Sequence, residues 1–179
     1  MNTDIPKPII ILVRTQLPQN IGSTARAMKN CGLSELRLVE PREKWPNDGA
    51  NSMAAGADDI LKNIKVFDNI PSALSDVIHV FSLTARNRDI TKIELGPDYA
   101  AKKIYENSTK SEKSAILFGP EQSGLTNDEI AYSNFFVKVP MVENFSSLNL
   151  SQAVLLMSWE WRKLFLSLIH ISEPTRPSS

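Results

Sequence analysis

Apolar residues along this chain form short continuous runs, separated by stretches in which they recur every three or four positions. The run Ile9–Val13 is short, continuous and rich in β-branched residues, which is typical of a strand buried on both faces of a parallel sheet. Further runs of this kind predict strands in ELRLVE, IKVF, VIHVFSL, SAILF and FFVKV. Strands that alternate with helices predict a single α/β domain, with a parallel sheet flanked by helices.

Helices are predicted in most of the intervening stretches. The first covers residues 21–30, with Asn20 as its N-cap and Gly32 just after its last turn. The others are predicted at residues 53–61, 71–76, 99–106 and 127–132, followed by a final helix after Asn149. The polar stretch at residues 84–95 is predicted to be irregular.

The final helix is apolar on more sides than contact with one neighbour requires. Residues 153–157 form a continuous apolar run, which Trp159 and Trp161 extend. A helix with one buried face shows one apolar stripe, whereas a helix that is apolar nearly all round is buried on several sides. The pattern therefore predicts that this helix is covered on more than one side.

Length and composition are those of one ordinary globular domain, with 179 residues of which 42% are hydrophobic and 22% charged. The formal net charge is zero, so affinity for nucleic acid requires a local basic patch. A single cysteine and the absence of a signal-like or membrane-spanning apolar run favour a cytoplasmic protein with no membrane association. The predicted domain covers residues 1–165. Residues 166–179 break the helical pattern and resemble a vector-derived tail, the alternative being a natural flexible tail.

Several common chemistries lack the residues they need. The first strand is not followed by the G-x-G-x-x-G of dinucleotide-binding folds, and GPEQSGL has Leu125 where a phosphate-binding loop carries lysine. His79 lies within an apolar strand and is predicted to be a core residue, and His170 falls in the terminal segment. Without a cluster of cysteine and histidine, the sequence predicts no metal site.

Polar loops follow three of the predicted strands, and the ligands of open α/β sheets bind at the carboxyl ends of strands. The loops are RTQLPQNIGSTARAM, FGPEQSGLTNDEI and VENFSSLNLS. The first places Asn20 and Arg26 near the start of a helix, and the second holds Glu121 between Gly119 and Gly124. Each loop by itself also fits a plain turn or a helix cap.

In this order the three loops resemble the signature motifs of the SpoU/TrmH-type RNA 2′-O-methyltransferases, a branch of the SPOUT superfamily. NIGSTARAMKNCGL resembles the first motif, ILFGPEQSGLTNDEI the second and VPMVENFSSLNLSQAV the third, and the similarity extends over nearly all of residues 9–161. Within the family, the chain is most similar to the TrmJ-like tRNA methyltransferases.

The resemblance implies an α/β domain whose C-terminal segment forms a deep trefoil knot, a rare exception to the rule against threaded chains. It also implies a homodimer that pairs through helices including the last one. A helix pressed between its own domain and a second subunit is expected to be apolar nearly all round. The alternative is a monomer in which this helix lies at the centre of the core.

The resemblance further implies S-adenosylmethionine as the cofactor. The positions that match the family's cofactor contacts are Leu83, Thr84, Ala85, Gly119, Val139, Ser146, Ser147 and Leu148. Backbone groups in such loops read the edge of an adenine while apolar neighbours cover its faces. Glu121 and Asn149 are expected to support the loops rather than to touch the reacting atoms.

The implied reaction transfers a methyl group to a ribose 2′-hydroxyl, which is a poor nucleophile until it loses its proton. The arginine of the family's first motif matches Arg26, so the resemblance assigns catalysis to Arg26, assisted by Asn20. Because a guanidinium stays protonated, we expect Arg26 to clamp a phosphate, orient the hydroxyl and stabilise the forming alkoxide. The alternative is that Arg26 is only a solvated helix residue.

Arg14, Arg86 and Arg88 also follow strands, and they are predicted to form a basic patch for RNA together with Arg26. Arg86 and Arg88 alternatively pair with nearby acids on a solvated loop. Phe145 is the one nearby aromatic candidate for stacking a base. The predicted substrate is tRNA, methylated at the pyrimidine that opens the anticodon loop. The alternatives are a ribosomal RNA 2′-O-methyltransferase, a knotted binding protein without turnover and a Rossmann-type oxidoreductase.

Overall fold

The computed structural model describes residues 4–85 and 91–172, with side chains up to residue 167. Its strands form one seven-stranded sheet in the order β3-β2-β1-β6-β4-β7-β5, and every neighbouring pair is parallel. The strands are β1 (Ile9–Val13), β2 (Leu36–Val39), β3 (Lys65–Phe67), β4 (His79–Leu83), β5 (Ile93–Leu95), β6 (Ser114–Phe118) and β7 (Phe135–Val137). The predicted α/β domain with a parallel sheet is confirmed.

Helices cover both faces of the sheet. They are α1 (Pro18–Asn30), α2 (Asn51–Ala54), α3 (Asp58–Lys62), α4 (Ile70–Ala73), α5 (Pro97–Thr109), α6 (Asn127–Ile130) and α7 (Leu150–Ser172). A single 3₁₀ turn, Asp48–Ala50, leads into α2. The trefoil knot implied by the family resemblance stays a prediction.

Alternate residues of β1 belong to two separate cores, which explains its continuous apolar sequence. Ile10 and Leu12 pack with buried residues of α1, α5 and α7 on one face of the sheet. Ile9, Ile11 and Val13 pack with buried residues of α4 and α6 on the other face. Successive side chains of a strand point to opposite faces. In a strand covered on both sides every side chain is therefore buried, and apolar residues are favoured at every position.

The start of α1 differs from the prediction. The helix begins at Pro18, with Leu17 at the N-cap position, and Asn20 lies inside the first turn. Proline suits the first turn because its missing N–H would have had no partner there. A capping side chain comes instead from a distant loop, as described below. The predicted end is confirmed, since Gly32 follows the helix with φ +78°.

Two further elements were placed wrongly by the sequence pattern. β5 falls within residues 84–95, which were predicted to be irregular, and it is an edge strand that pairs only with β7 along the described chain. Its three residues are mainly exposed, with Ile93 61% exposed, so no buried run marks it. The helix predicted at residues 53–61 is interrupted, because Ala55 and Gly56 adopt left-handed backbone conformations with φ +46° and +95°.

Helix α7 continues to Ser172, so the prediction that the helical pattern breaks at Leu166 is wrong. The domain boundary after residue 165 and the origin of the tail stay predictions, and residues 173–179 lie outside the described part of the chain. Leu166 and the two residues before it are half-buried along the same helix. None of the described helices is long and apolar enough to span a membrane.

Candidate functional site

A cavity of about 330 Å³ opens at the carboxyl edge of the sheet, beyond the ends of β4, β6 and β7. This edge is where open α/β sheets bind their ligands, and the volume is within the usual range for a ligand pocket. All of the residues predicted as cofactor contacts line this one cavity: Leu83, Thr84, Ala85, Gly119, Val139, Ser146, Ser147 and Leu148. Three segments that are far apart in sequence therefore meet around one space.

The loop after β6 folds back tightly on itself, and its glycines make this possible. A Cβ atom on Gly119 would lie 2.3 Å from the backbone nitrogen of Leu125 and 2.4 Å from the carbonyl carbon of Gly124. Gly124 has φ +69°, a conformation that other residues rarely adopt. Its N–H donates to the carbonyl of Pro120 at 3.0 Å. A side chain at Gly119 would therefore collide with the loop's own backbone before it reached the cavity.

Glu121 joins the loop after β6 to the beginning of α1. Its carboxylate accepts hydrogen bonds from the backbone N–H groups of Gln16 at 2.9 Å and Leu17 at 3.4 Å, and from Asn20 Nδ2 at 2.8 Å. The N–H groups at a helix start have no partner within the helix, and the helix dipole favours a negative charge there. Glu121 thus caps α1 from a distant loop while it also lines the cavity.

Asn149 shapes the third loop by capping α7. Its side-chain oxygen accepts hydrogen bonds from the N–H of Ser151 at 3.0 Å and from its hydroxyl at 2.8 Å, and its carbonyl accepts from the N–H of Ala153 at 2.9 Å. This contact fixes the end of the loop that carries Ser146 to Leu148 beside the first turn of the helix. The hydrogen bonds of Glu121 and Asn149 hold the loops in place. That neither residue touches the reacting atoms stays a prediction.

Arg26 is exposed on the outer face of α1, and it does not line the cavity. Ala25 and Met28, its neighbours on the inner face, are fully buried. Gln19 and Ser23 share the outer face with Arg26, because residues three and four apart lie on the same side of a helix. The structure thus leaves Arg26 free of the core, but one chain does not bring it to the cavity. Its predicted catalytic role remains a prediction.

Arg14 is held by a carboxylate of the protein itself. Its Nε and Nη2 atoms donate to the two carboxylate oxygens of Glu129 at 2.8 and 2.7 Å. This pairing raises the pKa of Arg14. Burial acts to raise the pKa of Glu129, but hydrogen bonds from Arg14 and Thr126 outweigh it and the pKa is lowered. The guanidinium predicted to meet RNA is therefore already engaged, and Arg86 and Arg88 lie outside the described residues.

Residues 7–159 match the sequence profile of the SpoU rRNA Methylase family. The chain belongs to this family. It is 41% identical over 158 residues to the tRNA (cytidine/uridine/adenosine-2′-O-)-methyltransferase TrmJ of Pseudomonas aeruginosa, an alignment that covers 88% of this chain and 61% of that protein. It is 42% identical over 157 residues to the tRNA (cytidine/uridine-2′-O-)-methyltransferase TrmJ of Sodalis glossinidius, with the same coverage of both chains.

Solved structures of the SpoU family share the fold. The crystal structure of TrmJ from Z. mobilis ZM4 superposes with a TM-score of 0.84 at 45% sequence identity, covering 96% of this chain and 73% of that chain. The chain spans 61% of the length of the P. aeruginosa and S. glossinidius relatives. The predicted resemblance to the SpoU family and to its TrmJ-like members is confirmed.

The cavity of this SpoU family member also contains wall residues that sequence reasoning did not assign. They are Phe118, Pro120, Gln122, Ser123, Gly124, Leu125, Leu150 and Ala153. Most of them lie inside the second motif, so the similarity of this motif to the family could have identified them as cavity residues. Leu150 and Ala153 belong to the first turn of α7 and lie inside the third motif, so that motif was the available signal for them. The backbone of Gln16 and Leu17, which Glu121 caps, leaves no signal in the sequence.

His79 lies at the opposite edge of the sheet, at the amino end of β4. Its ring Nε2 pairs with the carboxylate of Glu112, and about a quarter of its side chain is exposed. The prediction of a packed core residue is wrong, because the first residue of the strand reaches the rim of the sheet. Within the described part of the chain, no three His, Cys, Asp or Glu side chains come together as a metal site.

Proposed function

We propose that this chain transfers a methyl group from S-adenosylmethionine to a ribose 2′-hydroxyl of tRNA. The main support is the cavity, since every residue that the family resemblance assigns to the cofactor lines it. The S. glossinidius relative is named a tRNA 2′-O-methyltransferase of cytidine and uridine, and the P. aeruginosa relative is named one of cytidine, uridine and adenosine. We propose the pyrimidine that opens the anticodon loop as the target. A cytoplasmic location and a trefoil knot stay predictions of the sequence and the family.

The side chains around the cavity fit this cofactor. Leu83, Val139 and Leu148 offer apolar surface for the faces of an adenine, and Ser146 and Ser147 offer hydroxyl groups for its polar atoms. Gly119 contributes backbone to the cavity wall, because a side chain there would collide with the loop itself. When bound, S-adenosylmethionine supplies a methyl group that is already activated on a sulfonium sulfur.

The ribose hydroxyl must lose its proton, and the cavity wall offers little to help. Glu121 is the one ionisable side chain among the described residues that line it. Its oxygens already accept hydrogen bonds from Asn20 and from two backbone N–H groups, which favours a supporting role. A cation would therefore be needed from outside the wall, to hold the substrate phosphate and to stabilise the alkoxide that forms as the hydroxyl proton passes to water.

We propose that a second copy of the chain supplies this cation as Arg26. On the outer face of α7, Leu155 is 42% and Trp159 is 49% exposed, and they lie with Gln152 and Leu156 at the spacing of one helical stripe. The same helix lines the cavity through Leu150 and Ala153, so a twofold interface through this stripe would lie beside both cavities. α1 packs on α7, and Arg26 is exposed on the face of α1 that is turned away from the core, where a second copy can reach it.

Not all apolar residues of α7 are available for such an interface, because some of them are buried within one chain. Met157 and Trp161, which the apolar pattern makes equally good candidates, are 1% and 4% exposed within one chain. The ring of Trp161 packs against Tyr105 of α5, with the ring centres 6.1 Å apart. Charged residues at these two positions would therefore unfold the chain rather than test a dimer.

Mass-spectrometric mapping of 2′-O-methyl groups tests the proposed function. Total tRNA and ribosomal RNA from a strain that lacks the activity are incubated with the protein and S-adenosylmethionine. We expect a new methyl group at the first nucleotide of the anticodon loop in a subset of tRNAs. The Arg26→Ala protein serves as the control. Methylation of ribosomal RNA alone would contradict the proposed substrate, and no methylation of any RNA would contradict the proposed activity.

A further inference from the structure

The loop between β7 and α7 carries an exposed apolar turn. Met141, Val142 and Phe145 are 39%, 77% and 81% exposed, although they lie within one turn. The N–H of Phe145 donates to the carbonyl of Val142 at 3.0 Å, which closes the turn. Single exposed apolar residues are ordinary, whereas an aromatic ring grouped with other apolar side chains at the surface marks an interaction site.

Phe145 lies close to the cavity along the chain. It directly precedes Ser146, which lines the cavity, and consecutive Cα atoms are about 3.8 Å apart. A ribose that reaches the cavity carries its base on the adjacent carbon, so that base lies within one nucleoside length of this turn. We propose that Phe145 stacks against the base of the nucleotide whose ribose is methylated. The inference rests on the proposed function and adds a residue that holds the substrate.

The charges of the turn favour a base over a phosphate. Residues 141–150 contain no cationic side chain, and their one ionisable group is the exposed carboxylate of Glu143. A phosphate would be repelled there, whereas the uncharged face of a base would not. Stacking on an aromatic ring tolerates any base, because every base has a π-face. A contact of this kind would not by itself distinguish cytidine from uridine.

The test compares three substitutions in the full chain. Phe145→Leu keeps an apolar side chain but removes the ring, Phe145→Trp keeps a ring, and Val142→Ala alters the same turn without touching the ring. The substrate is an anticodon stem-loop RNA. Phe145→Leu removes the ring on which the base would stack and so weakens RNA binding. We expect KM for the RNA to rise roughly tenfold to a hundredfold. Phe145→Trp and Val142→Ala should stay near wild type, and kcat should change little.

Three results would overturn the inference. The first is a KM for Phe145→Leu equal to that of Val142→Ala. The second is weaker S-adenosylmethionine binding by Phe145→Leu in calorimetry, which would make the turn a lid over the cofactor. The third is a changed sedimentation coefficient, which would make it a contact between copies.

A second measurement separates this inference from the proposed function. The same stem-loop carries 2-aminopurine at the target position, and its fluorescence falls when the base stacks. If the wild-type protein methylates no RNA, the proposed function fails. Quenching by wild type and by Phe145→Trp, but not by Phe145→Leu, would still support stacking. Equal quenching by all three proteins, or none, would overturn it.

Discussion

The loops around the cavity and the outer surface of α1 and α7 differ in how many of their side chains are held by contacts within the chain. Around the cavity, the loop residues are held by contacts inside the chain: Glu121 caps α1, Asn149 caps α7, and the glycine loop closes on itself. The outer surface has Leu155 and Trp159 half exposed, and Arg26 projects from it outside the cavity. The loops of the cavity are held by contacts within the chain, whereas the outer surface leaves large side chains exposed to solvent.

The difference suggests that cofactor binding and contact with a second copy depend on separate surfaces of the domain. A cofactor site needs rigid walls, which local loops supply. In the proposed dimer, the cation that meets the RNA lies on a surface that the second subunit completes. Both features belong to one helix, since α7 lines the cavity at its first turn and carries the apolar stripe on its outer face. Changes on the two sides of this contrast should therefore give separable defects.

The largest effect is expected inside the cavity, from Gly119→Val. The new side chain would collide with the backbone of Gly124 and Leu125, so the loop must open. We expect S-adenosylmethionine binding to be lost and the free energy of unfolding to fall by about 1–3 kcal/mol. Calorimetry and thermal melting measure the two effects. Gly124→Ala is the control: its Cβ would meet nothing within 4 Å, so only the strain of φ +69° remains. Undiminished cofactor binding by Gly119→Val would refute the collision.

Arg26→Ala should affect transfer while leaving the cavity intact. Loss of one preorganised electrostatic partner should slow methylation by roughly two to three orders of magnitude. Since Arg26 is exposed, the melting temperature and S-adenosylmethionine affinity should stay near wild type. Arg26→Lys should rescue little, because a point charge does not reproduce the planar fork of a guanidinium. Methylation by Arg26→Ala within a few-fold of wild type in single-turnover assays would remove Arg26 from the reaction.

Charges on the apolar stripe should separate the copies without unfolding them. Leu155→Glu with Trp159→Glu should give a monomer by analytical ultracentrifugation, because a charge at a dry interface loses its water. Each single chain should keep its melting temperature and its cofactor affinity, while methylation should fall about as far as in Arg26→Ala. Tyr99→Glu is the control, since Tyr99 is also exposed, at 62%, but lies on α5. A double variant that sediments as wild type does would place the interface elsewhere.

The smallest effect concerns the ion pair that holds the start of the first loop. Glu129→Gln should destabilise the chain by about 1 kcal/mol at pH 7, a modest figure because Arg14 is partly solvated. The folded pKa of Glu129 lies below its ordinary value of 4.5. The stabilisation is therefore fully present above the unfolded pKa and is lost as the pH falls through the folded pKa. Denaturant unfolding at pH 7 and pH 3 should show the difference between wild type and variant shrinking at pH 3.

The features predicted correctly from sequence are those that depend on local pattern or on a complete motif. Strands buried on both faces, such as β1, show as continuous apolar runs. The predicted cofactor positions come from the loop after β4 and from the second and third motifs, and they line one cavity, although their contact with a cofactor stays a prediction. The exposed edge strand β5 has no such run. The start of α1 and the pairing of Arg14 depend on Glu121 and Glu129, more than a hundred residues away in the chain. A pattern read along the sequence does not contain such partners.

The most direct test of the account asks whether Arg26 serves the cavity of the other copy. Two inactive chains are combined: Arg26→Ala, and Ser147→Trp, which fills the cavity from an exposed loop position. Co-expression with two different affinity tags and purification through both gives dimers that contain one of each chain. If Arg26 acts across the interface, one of the two sites is intact, and methylation should recover to about half of the wild-type rate. Mixed dimers as inactive as either parent would contradict the account.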